Sequence, residues 1–228
     1  MKMTIFGKEK TEIENVARDI GFELVENEAD IVASFGGDGT LMLSESKYPN
    51  ILKLALRNSP ICKKCSNPNI PNDEVLKKVF ANDYDVEELI KLSVIANGVE
   101  LFGINDVTVH NTDPRHAMRY RLKINGVDQG HEVIGDGVVL ATPFGSTGYF
   151  RSITDSFFDV GVGLAFNNST EQFDHMILKD DSIIEMTITR GPAVIYADNQ
   201  ENKIDLKEGD EIIIKKSNLS AKIIIPRI

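Results

Sequence analysis

Residues 31–43 read Ile-Val-Ala-Ser-Phe-Gly-Gly-Asp-Gly-Thr-Leu-Met-Leu, and this stretch decides how the first part of the chain folds. An apolar run that breaks into three glycines and resumes with helix-compatible residues predicts a strand, a tight loop and a helix start. Glycines let backbone N–H groups approach phosphate oxygens, and the N-terminus of a helix attracts anions. The stretch therefore predicts a phosphate-binding loop that contains Gly36, Gly37, Gly39 and Thr40.

An acidic residue, Asp38, lies at the centre of this loop. A carboxylate repels phosphates, so its presence indicates a chemical role. It could take a proton from an attacking hydroxyl group, or it could bind the divalent ion that accompanies a nucleotide. Thr40 could cap the following helix or touch a phosphate. A plain turn is the alternative for the whole motif, because glycine and aspartate are the commonest turn residues.

The composition indicates a globular protein without a basic face. A chain of 228 residues fits one large domain or two small ones and can bury a sizeable core. No apolar run approaches the roughly 20 residues of a membrane span, and the first residues lack a signal-peptide pattern, so we expect a cytoplasmic protein. The net charge of −10 argues against binding to nucleic acid or to an acidic membrane. A phosphate-bearing ligand would then be held by glycine loops and a few cations.

Strands and helices alternate in the first 90 residues. Apolar runs predict strands at 3–6, 22–25, 31–33 and 51–56, and the spacing of apolar residues predicts a helix at 9–20. This alternation predicts a Rossmann-like parallel sheet with helices, a fold that binds ligands at the carboxyl ends of its strands. Arg57 ends the last of these strands and is a candidate phosphate-binding cation. A solvated arginine is the alternative.

A cysteine pair, Cys62 and Cys65, follows in a proline-bounded segment. Two thiolates at this spacing can share a zinc ion, but a closed zinc site needs four ligands and the sequence has no second pair. An ordinary loop with reduced thiols is favoured over a zinc shared between two subunits or a local disulfide.

From about residue 91 the pattern changes to that of strands. Runs at 92–95 and 99–102 flank Asn97-Gly98, and the run at 119–124 meets a second Asn-Gly pair, which predicts two hairpins. The last strands are expected at 211–215 and 222–225. We therefore predict an α/β domain at 1–90 and a mostly β domain at 91–228, whose last residues can pack back on the first domain.

Two segments of the second half carry more polar groups than a scaffold needs. Asn105 and Asp106 place an amide beside a carboxylate, which suits a base edge and ribose hydroxyls, although an ordinary turn is the alternative. Residues 135–149 place a short apolar strand between an aspartate and a turn rich in glycine and hydroxyl groups. We expect this segment to hold a sugar and a base. Its candidate nucleotide-binding residues are Asp136, Thr142, Thr147, Gly148 and Tyr149.

The three segments, in this order and spacing, resemble the NAD kinase family. That family has a Gly-Gly-Asp-Gly-Thr loop, a later Asn-Glu pair, and a Thr-Pro-Thr-Gly-Ser-Thr-Ala-Tyr turn after a Gly-Asp-Gly strand. The first motif is shared with phosphofructokinases and with diacylglycerol and sphingosine kinases, whereas the third is specific to NAD kinases. The chain departs from the pattern at Asp106, which replaces Glu, at Phe144, where a small or hydroxyl residue is usual, and at Gly148, which replaces Ala.

The resemblance implies transfer of a phosphate from ATP, or from polyphosphate in some members, to the adenosine-ribose 2′-hydroxyl of NAD, giving NADP. It implies Asp38 as the general base, a divalent metal such as Mg²⁺, and nucleotides as the partners. It also implies a homodimer or homotetramer formed through the β domain. The glycines of the loop would shape the phosphate site. The acceptor nucleotide would be held by Asn105, Asp106, Asp136, Thr147, Gly148 and Tyr149.

Two other functions stay open at this point. One is a kinase of the same fold that acts on a lipid or a sugar, although the chain shows no basic or amphipathic stretch that would bring it to a membrane. The other is a catalytically idle regulator that binds a dinucleotide. The intact Asp38 argues against the second function.

Overall fold

A computed structural model of the chain describes residues 1–58, 70–170 and 174–227. The pair Cys62 and Cys65 lies outside the described residues, so the alternatives for it stay as the sequence left them. Within the described ranges, no helix is both long enough and apolar enough to cross a membrane.

The chain divides into two compact units. Unit 1 consists of Met1–Leu89 and Leu219–Ile228, and unit 2 consists of Ile90–Asn218. The division after Leu89 lies beside the expected boundary, and the last ten residues belong to unit 1.

Unit 1 contains a parallel sheet with helices. Its strands are β1 (Lys2–Gly7), β2 (Glu23–Leu24), β3 (Ile31–Gly36) and β4 (Leu52–Arg57), and its helices are α1 (Thr11–Ile20), α2 (Asp38–Lys47) and α3 (Asn72–Phe80). The strand order is β2-β1-β3-β4, and the final part of β16 (Glu211–Pro226) pairs with β4. All of these pairs are parallel. The predicted Rossmann-like α/β arrangement is confirmed.

The core of unit 1 follows from the apolar spacing of its segments. Helix α1 buries Ile13 and Ala17 and ends at Gly21, which adopts a φ of 114° that other residues rarely reach. The rings of Phe22 and Phe80 meet edge to face with their centroids 5.1 Å apart. The strands add a row of fully buried side chains, among them Met3, Ile31, Ala33, Leu54 and Leu56.

Unit 2 is built mainly from antiparallel strands. In chain order these are β5 (Tyr84–Ala96), which begins in unit 1, β6 (Val99–Gly103), β7 (Asp106–Asn111), β8 (Met118–Ile124), β9 (Val127–Gly135), β10 (Gly137–Ala141), β11 (Val162–Asn167), β12 (His175–Leu178), β13 (Ile184–Arg190), β14 (Ala193–Ala197), β15 (Lys203–Leu206) and the first part of β16. One short helix, α4 (Tyr149–Thr154), interrupts the described strands. The predicted mostly β character of this half is confirmed.

Two sets of strands share one apolar core in unit 2. Six strands pair in the order β12-β11-β10-β7-β14-β15, and in the other set β13 pairs with both β16 and β8. Alternate residues of each strand point to the same face, so one face of β7 supplies Val107 and Val109 to the core. Its other face carries Asp106, Thr108 and His110, which remain available for a site.

The turns agree with the sequence, but the last strand does not. Both Asn-Gly pairs adopt positive φ at both residues, as a tight hairpin turn requires, and they join β5 to β6 and β8 to β9. The two strands expected at 211–215 and 222–225 are one continuous strand, β16. The polar residues between them include no proline or glycine, so nothing in the backbone forces a break.

Candidate functional site

The glycine loop of unit 1 joins the carboxyl end of β3 to the start of α2. Gly36 ends the strand, Gly37 is the N-cap residue, and Asp38 is the first residue of the helix. The backbone N–H of Thr40 donates a hydrogen bond to the Gly37 carbonyl over 2.9 Å. Because the N-terminus of a helix favours negative charge, α2 stabilises the half-buried Asp38 carboxylate at this place.

Thr40 packs against Gly36 and does not cap the helix. A Cβ atom built on Gly36 would stand 2.2 Å from Thr40 Oγ1, so only glycine fits beneath this side chain. The N-cap residue is Gly37, and no side chain caps it. The capping role suggested for Thr40 is therefore wrong, because this residue lies inside the first turn. Contact between Thr40 and a phosphate stays a prediction.

Arg57 lies at the same edge of the sheet as the glycine loop. In the parallel pairing of β3 with β4, Gly36 is the partner of Arg57. The backbone of Arg57 is fixed by Asn72, which accepts from its N–H over 3.1 Å and donates to its carbonyl over 2.7 Å. A phosphate contact by the Arg57 guanidinium stays a prediction.

A cleft of about 1210 Å³ opens beside the glycine loop within unit 1. Its lining includes Gly36, Gly37 and Thr40 together with four cationic side chains, those of Lys8, Lys10, Arg18 and Lys47. Two acidic residues, Glu14 and Glu26, offset part of this charge. The Lys47 ammonium lies 5.6 Å from the centre of the Phe6 ring and 5.4 Å from that of Tyr48, which holds it at the wall by cation–π attraction.

The sequence did not indicate these four cationic residues as site residues, although one signal is present for Lys8. This residue directly follows β1, so it lies at the ligand-binding edge of the parallel sheet. Lys10 is partly committed within the protein, since its ammonium donates to the Ile5 carbonyl over 2.8 Å and lies 3.0 Å from Glu14.

In unit 2, the two predicted nucleotide segments pack directly against each other. The turn at residues 104–106 lies beneath the turn at residues 142–148. A Cβ atom on Gly145 would stand 1.9 Å from the Asn105 carbonyl oxygen, and one on Gly148 would stand 2.9 Å from Asn105 Nδ2. Close approach to the Asn105 backbone therefore requires glycine at 145, whereas at 148 the nearest atom is the end of the Asn105 side chain.

Thr142 joins these two turns and is fully buried. Its hydroxyl donates to the Ile104 carbonyl over 2.6 Å and accepts from the N–H of Gly145 over 3.1 Å. The sequence placed Thr142 among the nucleotide-binding residues. Since its hydroxyl is used inside the protein, we assign it to shaping the site and not to touching a ligand.

Asp198 holds the other side of the 104–106 turn. One carboxylate oxygen accepts from the N–H groups of Asn105 over 2.7 Å and Asp106 over 3.1 Å, and the other accepts from Ile104 over 2.9 Å. In return, the Asp198 N–H donates to the Asp106 carbonyl over 2.9 Å. Asp198 is not among the site residues that the sequence predicts.

Two buried carboxylates lie side by side at this turn. Burial raises the pKa of Asp106, and this outweighs the hydrogen bonds from Asn105 and Thr108, which act in the opposite direction. Burial also raises the pKa of Asp198 to about 7, and the negative charge of Asp106 adds to the rise against the lowering effect of the three N–H groups. Perturbed carboxyl groups in a groove are typical of functional sites.

A chain of hydrogen bonds connects Tyr149 to Asp136. The Asn167 side-chain amide lies 3.1 Å from the Tyr149 hydroxyl and 3.2 Å from His110 Nε2. His110 Nδ1 lies 2.9 Å from the carbonyl of Asn111, whose side-chain amide donates to Asp136 over 3.2 Å. Burial raises the pKa of the Tyr149 hydroxyl, and the neighbouring carboxylates act in the same direction.

A groove of about 520 Å³ crosses the outer face of the six-stranded sheet. It is lined by polar and aromatic side chains from β7, β14, β15 and α4, including Asp106, Thr108, His110, Tyr149, Tyr196 and Lys203, and Asp198 lines it as well. Two phenol rings, a cation and carboxylates suit a ligand that carries flat rings and hydroxyl groups. Of the predicted acceptor residues, Asn105, Asp106, Gly148 and Tyr149 meet at or beside this groove.

Comparison with known sequences gives a consistent result. Residues 104–225, more than half of the chain, match the model of the ATP-NAD kinase C-terminal domain. An NAD kinase from Sulfurisphaera tokodaii is 25% identical over 240 residues, covering 98% of this chain and 95% of that protein. An NAD kinase from Saccharolobus islandicus is 29% identical over 147 residues, covering 63% of this chain and 56% of that protein. The chain thus spans little more than half the length of the latter relative.

Comparison with solved structures shows the same fold. The crystal structure of yeast NADH kinase complexed with NADH superposes with a TM-score of 0.86 at 17% identity, covering 100% of this chain and 84% of that one. The structure of an NAD kinase from Archaeoglobus fulgidus in complex with ATP gives a TM-score of 0.80 at 22% identity, covering 100% and 94% of the two chains.

Proposed function

The chain belongs to the NAD kinase family, and from this premise we propose that it transfers a phosphate from ATP or polyphosphate to the 2′-hydroxyl of the adenosine ribose of NAD, giving NADP. The observation that carries the proposal is the packing of the 104–106 turn against the 142–148 turn beside one groove. The 142–148 turn belongs to the motif that the resemblance gives as specific to NAD kinases among kinases with a Gly-Gly-Asp-Gly loop.

The acceptor nucleotide is assigned to unit 2. The groove of about 520 Å³ has a volume typical of small-molecule sites and fits a nucleoside portion of a dinucleotide. The Asp106 carboxylate accepts hydrogen bonds from ribose hydroxyls, and the Tyr149 ring packs on a flat base. Asn105, Asp136, Thr147 and Gly148 complete the proposed contacts.

The phosphate donor is assigned to the cleft beside the glycine loop in unit 1. Four cationic side chains line this cleft, which suits a ligand with several negative charges. Among the described residues, no group of three or more histidine, cysteine or acidic side chains could hold a metal ion. The proposed metal is Mg²⁺, which would be held mainly by the donor phosphates and would neutralise charge on the donor.

Asp38 is assigned the role of general base. It accepts the proton of the 2′-hydroxyl as that oxygen attacks the terminal phosphorus, and the bond from phosphorus to the leaving oxygen of the donor breaks. The position of Asp38 supports this role, because the first residue of α2 directly follows the glycine loop that is proposed to hold the phosphates.

We further propose that the protein forms a homodimer or homotetramer. The six-stranded sheet of unit 2 ends at β12 on one side and at β15 on the other, and strands at the ends of a sheet offer main-chain groups for pairing. Light scattering of the purified protein measures the assembly, and a monomer at all concentrations would contradict this point.

The activity is tested by incubating the protein with NAD, Mg²⁺ and either ATP or polyphosphate. Product is measured with a dehydrogenase that accepts only NADP. Formation of NADP supports the proposal and identifies the donor. Binding of NAD without product indicates the idle regulator, and neither binding nor product indicates a different acceptor, such as a lipid or a sugar.

A further inference from the structure

We propose that Asp198 is a positioning residue that fixes the 104–106 turn, and thereby directs the side chains of Asn105 and Asp106 toward the acceptor nucleotide. The inference rests on the proposed function, because it concerns how that acceptor is held. Asp198 is assigned an indirect role, acting through the turn.

The first argument is the density of contacts from one side chain. The Asp198 carboxylate accepts from three consecutive backbone N–H groups at 2.7 to 3.1 Å, those of Ile104, Asn105 and Asp106. Consecutive N–H groups that point to one anion fix the backbone dihedral angles between them. The return bond from the Asp198 N–H to the Asp106 carbonyl locks the two segments together.

The second argument is that Thr142 holds the carbonyl groups of the same turn. The Thr142 hydroxyl holds the Ile104 carbonyl over 2.6 Å, and the Thr142 N–H donates to the Asn105 carbonyl over 3.0 Å. Asp198 therefore binds the donors of the turn while Thr142 binds its acceptors. Truncation of the Asp198 side chain removes all three bonds to these donors and leaves the bond from the backbone N–H of residue 198 to the Asp106 carbonyl.

The third argument concerns where the fixed side chains point. With its backbone held, Asn105 donates from Nδ2 to Asp106 Oδ2 over 2.9 Å, and Asp106 lines the groove. Asp198 lies in close contact with the start of the turn, since a Cβ on Gly103 would lie 2.5 Å from the Asp106 carbonyl and 3.0 Å from Asp198 Oδ1. A loosened turn would thus misdirect both groups that are proposed to hold the acceptor.

The two substitutions Asp198→Asn and Asp198→Ala give a graded test. The amide oxygen of an asparagine can still accept from Asn105 and Asp106, but its NH₂ group would face the Ile104 N–H. Alanine keeps none of the three bonds. Asp159→Asn, at an exposed position of unit 2, is the matched control.

Two measurements are made on each protein. Hydrogen exchange followed by mass spectrometry, without ligand, reports on the amides of 104–106. Steady-state kinetics report the KM for NAD and the KM for ATP. We expect faster exchange at 104–106 and a KM for NAD raised about tenfold in Asp198→Asn and further in Asp198→Ala, because hydrogen bonds that fix the turn are lost. The KM for ATP should stay within about twofold of the wild-type value, a selectivity that general destabilisation would not produce.

The outcomes separate the two proposals. If the wild-type protein makes no NADP, the proposed function fails, and exchange at 104–106 together with calorimetric affinity for NAD still decides whether Asp198 positions the turn. If the Asp198 variants show unchanged exchange and bind NAD as tightly as the wild-type protein, the positioning role is overturned while the proposed function stands. Equal rises in the KM for both substrates would also overturn it.

Discussion

Gly145 lies so close to Asn105 that a Cβ atom on the glycine would stand 1.9 Å from the Asn105 carbonyl oxygen. Gly148 also faces Asn105, but there the Cβ would lie 2.9 Å from the end of its side chain. A backbone oxygen cannot move without moving the turn, whereas a side-chain amide can rotate. Substitution of Gly145 therefore tests displacement of the turn, and substitution of Gly148 tests mainly displacement of the Asn105 side-chain amide.

We expect Gly145→Ala to destabilise the protein and to abolish NAD binding, because the new methyl group forces the 104–106 turn away from the 142–148 turn. Overpacking of this kind costs about 1–3 kcal/mol or more. Gly148→Ala should lower the melting temperature less than Gly145→Ala, because the nearest backbone atom to its Cβ is the Gly145 carbonyl oxygen at 3.1 Å, and it should weaken NAD binding only a few-fold. Thermal melts and calorimetric titration with NAD measure both effects. Equal behaviour of the two variants would contradict the distinction between backbone and side-chain contact.

The α/β half was predictable because its signals are local. The strand, glycine loop and helix start at 31–43 are encoded by neighbouring residues, and Gly21 ends α1 where the apolar spacing stops. The two Asn-Gly hairpins were predictable for the same reason, since asparagine and glycine tolerate the positive φ values that such turns need.

The parts of the site that the sequence did not predict depend on pairing between strands that are far apart in the chain. Asp198 is separated from the 104–106 turn by more than 90 residues, and it reaches that turn because β14 pairs with β7, with Ala197 opposite Val107. No local pattern reports that register. The burial of Thr142 likewise depends on which turn covers it. The sequence alone predicts a ligand-binding hydroxyl here, because the partner that occupies it, the Ile104 carbonyl, lies 38 residues away in the chain.

The raised pKa of Asp198 makes stability depend on pH. The folded state holds this proton more tightly than the unfolded chain, since the pKa rises from 3.8 to about 7. The stabilisation is therefore fully present below about pH 4 and is lost as the pH rises through about 7. Over this window we expect the free energy of unfolding to fall by up to about 1.4 kcal/mol per pH unit through this group.

Urea unfolding followed by circular dichroism at several pH values measures this slope. Asp198→Asn should reduce the slope of the free energy of unfolding against pH, since an amide does not titrate. The slope is compared, and not the stability at one pH, because the substitution also removes hydrogen bonds. Asp106 also has a raised pKa and contributes a remaining slope of the same sign. A variant with the wild-type slope would show that Asp198 titrates normally in the folded protein.

A buried ion pair in unit 1 ties α2 to β4. Lys53 Nζ lies 2.7 Å from Glu45 Oε2, and the two side chains are 0% and 3% exposed. We expect Lys53→Met to lower the free energy of unfolding by about 3–5 kcal/mol, because it leaves a buried carboxylate without its counter-charge. Chemical denaturation measures the loss.

The matched control is the surface pair of Lys77 and Asp73, whose atoms lie 2.9 Å apart with the side chains 60% and 45% exposed. Lys77→Met should change the free energy of unfolding by no more than about 1 kcal/mol. Similar losses in Lys53→Met and Lys77→Met would mean that burial does not decide the contribution of these pairs.

Asp38 provides the most direct test of the chemistry. Asp38→Asn keeps the size of the side chain at the start of α2 but removes its ability to take a proton. A positioned base is worth about 10²- to 10⁴-fold in rate, so we expect kcat to fall by that factor while the affinity for NAD stays close to that of the wild-type protein. Asp19→Asn, at an exposed position of α1, controls for loss of one negative charge in unit 1. Full turnover in Asp38→Asn would remove Asp38 from the role of base, whereas a loss of NAD affinity with unchanged kcat would assign it to substrate binding instead.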